Sequence, residues 1–254
     1  IGMNQVITIL INIFFGPIVN AARAISFQIN NAIISFSGSF LMAVRPPMIK
    51  SYAEGNYEYL NTLFNYSTKF VFYTLLVVVL PLFLDMNYIL RIWLSSSDEQ
   101  TTLFCRLMLI YALILSLNNP ITFTMQAGGF VKQYHVSVEI PTLLIMPVTY
   151  FLFKMGMPAY MTYITMIIAV IASHIIRLFC LRRYYPHYNI KDYVLSFMLK
   201  ALIIVLLSSF CLYYLYSAMT EGFLRLLCIC FFSVVLVGTL TYFIGLNYTE
   251  KELV

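Results

Sequence analysis

A guanidinium and four amides lie in a stretch long enough to cross a bilayer. Residues 20–44, NAARAISFQINNAIISFSGSFLMAV, hold Asn20, Arg23, Gln28, Asn30 and Asn31 among apolar neighbours. At a rise of about 1.5 Å per residue, ~20 residues span the hydrocarbon core. On a helical wheel of ~100° per residue, Asn20, Arg23, Ser26, Asn30, Asn31 and Ser37 share one face. Ala22, Ile25, Ile29, Ile33, Phe36 and Phe40 share the other. Lipid all round would not favour this pattern; lipid or protein on one side and a watery cavity on the other would. Two readings of Arg23 stand. One is an anion clamp in a cavity, because a guanidinium fork pairs well with phosphate oxygens. The other is an interfacial arginine a few residues from Gly16-Pro17, snorkelling to headgroups. Asn30 and Asn31 extend the polar face deeper and favour the cavity.

Other polar groups interrupt later apolar runs. Asn118-Asn119-Pro120 lies within one of them. Proline frees a backbone carbonyl and bends a helix, and neighbouring amides can satisfy the freed group. The triplet reads as a hinge beside a substrate path or as a local kink with interhelical hydrogen bonds. Glu139 falls early in the next apolar run. It reads as a carrier of a coupling proton or as a partner for Lys132 or His135, at i−7 and i−4. His174 and Arg177 read as interfacial, Gln126 as a cap near a helix end, and Asp85 as solvated at the end of a span. None of the sequence patterns GxSxG, HExxH, P-loop or GxGxxG occurs, and the histidines lack metal-ligand spacing. The chain therefore reads as no enzyme, with neither cofactor nor metal.

The elements that carry these groups follow from composition. The chain of 254 residues is 61% hydrophobic and 10% charged, with a mean hydropathy of +0.87. Soluble domains carry about 25% charged residues. The apolar runs are long and continuous, so an all-α polytopic transmembrane bundle is expected rather than a β-barrel. About eight spans are read, near 1–15, 19–44, 69–87, 102–127, 134–153, 159–180, 199–217 and 223–245. Gly16-Pro17 separates the first two, Arg45-Pro46-Pro47 ends the second, and Gly128-Gly129 ends the fourth. Between spans, 45–68 reads as a loop with a short interfacial helix that sets Tyr52, Tyr57, Tyr59, Leu60, Leu63 and Phe64 against headgroups. The stretch 181–198, with RRYYPHYNIKDY, is basic and aromatic.

Charge then orients the layout. Placing the ends of the even-numbered spans in the cytoplasm collects ten of the basic residues there, including Arg45, Arg182, Lys191 and Lys251. Arg91, Arg106, Lys154 and Arg225 fall outside, and Arg23 stays in a span. This is the positive-inside pattern, with the C-terminus cytoplasmic. The net charge of +5 is thus a matter of topology, and no nucleic-acid partner is expected. Cys105, Cys180, Cys211, Cys228 and Cys230 sit in apolar runs without disulfide or metal spacing. Ile1 is no start residue, and no basic leader or cleavage site precedes the first run. The chain reads as a piece of a longer one.

One motif set resembles a known family. The segment GPIVNAARAISFQINN, followed by AVRPPMIKSYAEG, is similar to bacterial polysaccharide-biosynthesis membrane proteins. These are lipid-linked oligosaccharide (O-antigen or capsule repeat-unit) flippases of the multidrug/oligosaccharidyl-lipid/polysaccharide exporter superfamily. YILRIWL at 88–94 and SLNNPITFTMQAGGFVKQYH at 116–135 also fit. The resemblance implies about fourteen helices in two pseudo-symmetric six-helix lobes plus a final pair. Residues 1–180 would be the second lobe, 181–198 a cytoplasmic basic loop, and 199–254 the final pair and a cytoplasmic tail. The N-terminal lobe would be a missing partner. The implied activity is to pass a polyprenyl-diphosphate-linked oligosaccharide from the inner to the outer leaflet of the bacterial inner membrane. Membrane lipids and a coupling ion, sodium or proton, would be further partners. Arg23, Asn20, Gln28, Asn30, Asn31, Asn118 and Asn119 would line the substrate cavity, and Glu139 is the candidate for ion coupling. A cation-coupled multidrug exporter of the same superfamily is the nearest alternative; it should show acidic rather than basic groups in its cavity. A membrane-embedded polysaccharide polymerase or ligase is an alternative of another class, but it needs a large outer loop that is lacking here.

Overall fold

A computed structural model describes residues 2–95 and 98–246. Ile1, Lys251 and the expected cytoplasmic tail from 247 onward lie outside the described residues. All regular elements described are helices: α1 (Gly2–Ala53), α2 (Tyr57–Leu84), α3 (Met86–Leu94), α4 (Glu99–Ser116), α5 (Asn118–Ala127), α6 (Val131–Lys154), α7 (Met161–Tyr184), α8 (Ile190–Asp192), α9 (Leu199–Ala218) and α10 (Phe223–Leu240). A π-helical turn, Tyr193–Met198, joins α8 to α9, and another, Thr241–Gly245, ends α10. Seven of the resulting helical runs are long and apolar enough to cross a membrane. That is the design of a multi-pass membrane protein.

The count is seven rather than eight because of α1. Gly16 has φ 83° and ψ −178°, a conformation that glycine alone adopts without strain. Pro17 then opens the next limb, where its missing N–H is no loss. The chain doubles back at this point. In a straight helix Asn4 and Arg23 would be about 28 Å apart. Instead an Arg23 Nη donates to the Asn4 carbonyl at 3.1 Å, and Arg23 Nε donates to Thr8 Oγ1 at 3.3 Å. Limb 2–15 is about 21 Å long, less than the hydrocarbon thickness of ~30 Å. It packs on α6 through Phe14 and Phe15 against Phe153.

Limb 17–53 corrects the expected boundary at Arg45-Pro46-Pro47. Both prolines lie inside the helix, which runs on to Ala53. Proline at these positions removes the helical donors to the carbonyls of Met42 and Ala43. Both residues are exposed. The limb is about 55 Å long, so its last turns outrun the bilayer and water can satisfy those carbonyls. The loop expected at 45–68 is therefore mostly helix. Its turn is at Gly55, with φ 70°, and the Asn56 side chain caps α2 by accepting from the Tyr59 N–H at 3.1 Å. The third span begins at Tyr57, not near 69. Leu60 and Phe64 are buried rather than turned to headgroups.

Helix α2 is the hub. It packs against α1, α4, α5, α9 and α10. Its buried Val71, Leu75 and Val79 meet Ile33, Leu41, Leu109 and Ala112 in one core, while Leu60, Phe64, Phe72 and Leu76 enter another with Ile121 and Tyr193. A third core joins Ile7, Ile11 and Ala22 to Phe104, Met108, Tyr163 and Met166. The stretch between α7 and α9 is clamped on α2. Tyr185 donates to Asn61 Oδ1 at 2.9 Å, Tyr188 donates to Asn65 Oδ1 at 2.5 Å, and Asn61 donates to the His187 carbonyl at 3.0 Å.

The final pair holds on by a narrow seam. Arg225, Ile229, Ser233 and Val237, spaced by four, are the buried residues of α10; Ala201, Ile204, Ser208 and Leu212 are those of α9. Small residues suit close helix approach in lipid, and Ser233 donates to the Val77 carbonyl of α2 at 2.8 Å. The anchor is ionic. Arg225 pairs with Asp85 at 2.5 Å, both are buried, and the guanidinium carbon lies 4.3 Å from the Tyr216 ring centre. Asp85 is therefore not solvated. Burial pushes its carboxyl up from the ordinary range, against the pull of Arg225.

Two outcomes test this architecture. Removing one partner of a buried pair leaves an uncompensated charge, so Arg225→Leu should lower stability by about 3–5 kcal/mol. The double variant Asp85→Leu/Arg225→Leu should recover most of it, read as melting temperature in detergent. The tyrosine clamp gives a pH window. Burial raises the Tyr185 and Tyr188 hydroxyls above their ordinary value. A raised folded value means that their contribution is complete below the unfolded value of ~10 and is lost as pH rises through the folded one. Tyr185→Phe/Tyr188→Phe should remove about 0.5–1.5 kcal/mol per hydrogen bond at neutral pH and flatten the loss of stability above pH ~10.

Candidate functional site

The buried face of limb 17–53 runs through Arg23, Ser26, Asn30, Ile33, Ser37 and Leu41. The steps of three and four are those of one helical stripe. Its polar members meet other helices. Arg23 is 3% exposed. Its guanidinium carbon sits 4.2 Å from the Phe27 ring centre, and Thr8 and Asn4 accept from it. The other terminal nitrogen, Nη1, is buried with no hydrogen-bond partner among the described residues, and the Tyr163 hydroxyl interacts electrostatically with the guanidinium. Ser26 Oγ bonds the Tyr163 hydroxyl at 2.8 Å and donates to the Arg23 carbonyl at 2.7 Å. Tyr163 in turn stacks on Phe104 of α4 at 4.6 Å. No carboxylate is paired with Arg23 among the described residues.

The remaining candidates divide. Asn30 is buried on the same stripe, and its Oδ1 has no partner. Asn20 is half-buried. Gln28 and Asn31 are exposed on other faces, so the adjacent amides Asn30 and Asn31 part company. Gln28 lines an apolar groove of ≈ 520 Å³ with Phe36, Leu82 and Trp93. Asn119 and Ser116 meet Ser37 around a cavity of ≈ 140 Å³, which joins the α4–α5 break to the polar stripe.

Asn118 turns elsewhere. Helices α4 and α5 part at Leu117, with Pro120 in the first turn of α5. This leaves Asn118 buried, with its Oδ1 2.8 Å from His174 Nδ1. The Tyr193 hydroxyl lies 3.5 Å from His174 Nε2. A ring with its proton on Nδ1 satisfies both bonds. Close by, Arg177 Nε donates to the Tyr134 hydroxyl at 2.8 Å, and that hydroxyl bonds Thr122 Oγ1 at 2.7 Å. His174 is thus buried among the helices, and Arg177 is half-buried beside it. Their spacing with Val170, Ser173 and Leu181 puts them on one face of α7, and this signal outweighs their nearness to the helix end. Glu139 is exposed on α6, and no ion pair to Lys132 or His135 forms among the described residues.

The buried guanidinium and amides are groups of the kind that pair with polar or anionic ligands. Among the described residues, no three side chains of metal-ligating type come together. No family model matches the chain, and neither a curated protein nor a solved structure is detectably similar to it.

The Asn118–His174 bond is open to test. His174→Ala should leave the Asn118 amide buried and unpaired, at a loss of about 1–3 kcal/mol. An unchanged melting temperature in detergent would remove the bond from the account.

Proposed function

We propose that this chain is one lobe and the final helix pair of a flippase for a lipid-linked oligosaccharide in the bacterial inner membrane. The resemblance of residues 12–60 to that family motivates the reading. One structural observation carries it. Among the described residues, Arg23 is buried in a span without a paired carboxylate and with Nη1 unbonded, seven residues from the chain reversal at Gly16. An ionisable group at such depth is costly, and it usually marks a path for a polar or ionic cargo. A phosphate oxygen is the ligand that best completes a guanidinium.

Sugars and phosphates cannot enter hydrocarbon unaided, because each polar group stripped of water costs several kcal/mol. A cavity that opens to alternate sides removes that barrier without making or breaking bonds. In this reading limb 2–15 covers Arg23 in one state and moves off it in another, with Gly16 as the hinge. The diphosphate then meets Arg23, while Asn30, Asn20 and the Asn119–Ser37 pocket receive sugar hydroxyls. The distribution of Lys and Arg supports a cytoplasmic C-terminus.

The test is export. The parent protein with both lobes is expressed in cells that lack their own flippase, and surface glycan is scored at matched membrane levels. Arg23→Ala removes a charge-assisted contact of about 1.5–3 kcal/mol, so export should fall about 10–100-fold. Arg23→Lys should restore part of it. Unimpaired export by Arg23→Ala would defeat the assignment.

A further inference from the structure

A second site opens at the other end of the bundle, away from the stripe of α1. A groove of ≈ 770 Å³ lies between the C-terminal part of α7 and the α8 segment with the π-helical turn that follows it. Its α7 wall is Ile175, Leu178, Phe179 and Arg182, one helical face by their spacing of three and four. The loop from Pro186 to Asn189 closes one end, and the other wall runs from Ile190 and Lys191 through Val194 and Leu195. The two walls run in register. Arg182 and Lys191 both stand at the end where the chain turns, and the apolar residues continue from there along both walls. Phe179 is 65% exposed and Leu195 61% exposed, so the groove faces outward. Asp192 is not among its lining residues.

We propose that this groove binds an anionic phospholipid, with its phosphate between Arg182 and Lys191 and an acyl chain along Phe179 and Leu195. Charge complementarity selects the occupant. Two cations stand at one end of an apolar trough that opens where lipid tails would lie. A zwitterionic lipid gains less from them, and a soluble anion gains nothing from the trough. Basic pockets between transmembrane helices on the cytoplasmic side bind anionic headgroups in this way. The excess of Lys and Arg assigns this loop to that side. The clamp of Tyr185 and Tyr188 on α2 fixes the loop that joins the two walls on which Arg182 and Lys191 stand. The proposal does not depend on the identity of any transported cargo.

Native mass spectrometry of the full chain in detergent tests it. The chain is titrated with phosphatidylglycerol and, separately, with phosphatidylcholine of the same acyl composition. Phosphatidylglycerol should be retained about tenfold more tightly, and salt should release it. Each cation near the surface contributes about fivefold, so Arg182→Ala/Lys191→Ala should lose about 25-fold. Arg183→Ala, a neighbouring charge that does not line the groove, should keep the lipid. Equal retention of the two lipids by the unsubstituted chain would overturn the proposal without any variant. So would displacement of the lipid by millimolar inorganic phosphate, which would mean an anion site without a tail groove. Preferential displacement by a polyprenyl phosphate would also overturn it, by making the groove a cargo site.

Discussion

Inside hydrocarbon a polar group finds its partner in the protein or not at all, and this chain is arranged around that rule. The polar stripe of α1 turns inward, where Thr8, the Asn4 carbonyl and Tyr163 receive Arg23 and Ser26. The reversal at Gly16 follows from the same need. Only by doubling back does the chain bring the Asn4 carbonyl and the Thr8 hydroxyl to the guanidinium. Buried serines elsewhere in the spans bond carbonyls one turn back, as Ser37, Ser116 and Ser208 do, so their hydroxyls are satisfied within their own helices.

The two buried arginines solve the problem differently. Arg225 faces a carboxylate, and their bond pins α10 to the junction of α2 and α3. That seam is otherwise thin, since most of α9 and α10 shows apolar side chains outward. Arg23 meets only neutral acceptors and an aromatic ring. Its charge is spread over hydrogen bonds without being cancelled. The first arrangement is a fastening, and the second leaves the positive charge without a paired carboxylate among the described residues.

Much of this was legible in the sequence. The apolar runs mark the helices, Gly16-Pro17 marks the reversal, and Gly128-Gly129 marks the end of α5, where Gly129 takes φ 74°. The stripe of Arg23, Ser26, Asn30 and Ser37 is a single face by spacing alone. What that face meets was not legible, because period fixes which residues go together and says nothing of what lies opposite. Pro46 and Pro47 misled for a related reason. Proline breaks a helix when the freed carbonyls have no other donor, and here they emerge toward water. Asp85 and Arg225 are 140 residues apart. Sequence places both at the outer ends of spans, which permits their pairing and cannot require it.

Buried polar atoms without a partner among the described residues occur in the scaffold as well as in the site, Asp85 Oδ2 and Arg225 Nε at the fastening included. Tyr185, Tyr188, Asn61 and Asn65 form a closed set of bonds that holds a loop in place. The Asn118–His174–Tyr193 chain ends on a buried amide nitrogen without a partner, and Asn30 and Arg23 each keep an unused atom. Such atoms carry a standing penalty in a static bundle. A protein whose task is to remain as it is would gain by replacing them with apolar groups of the same shape. Under the proposed function, the two on the α1 stripe, Arg23 Nη1 and Asn30 Oδ1, are the atoms that a polar cargo would complete.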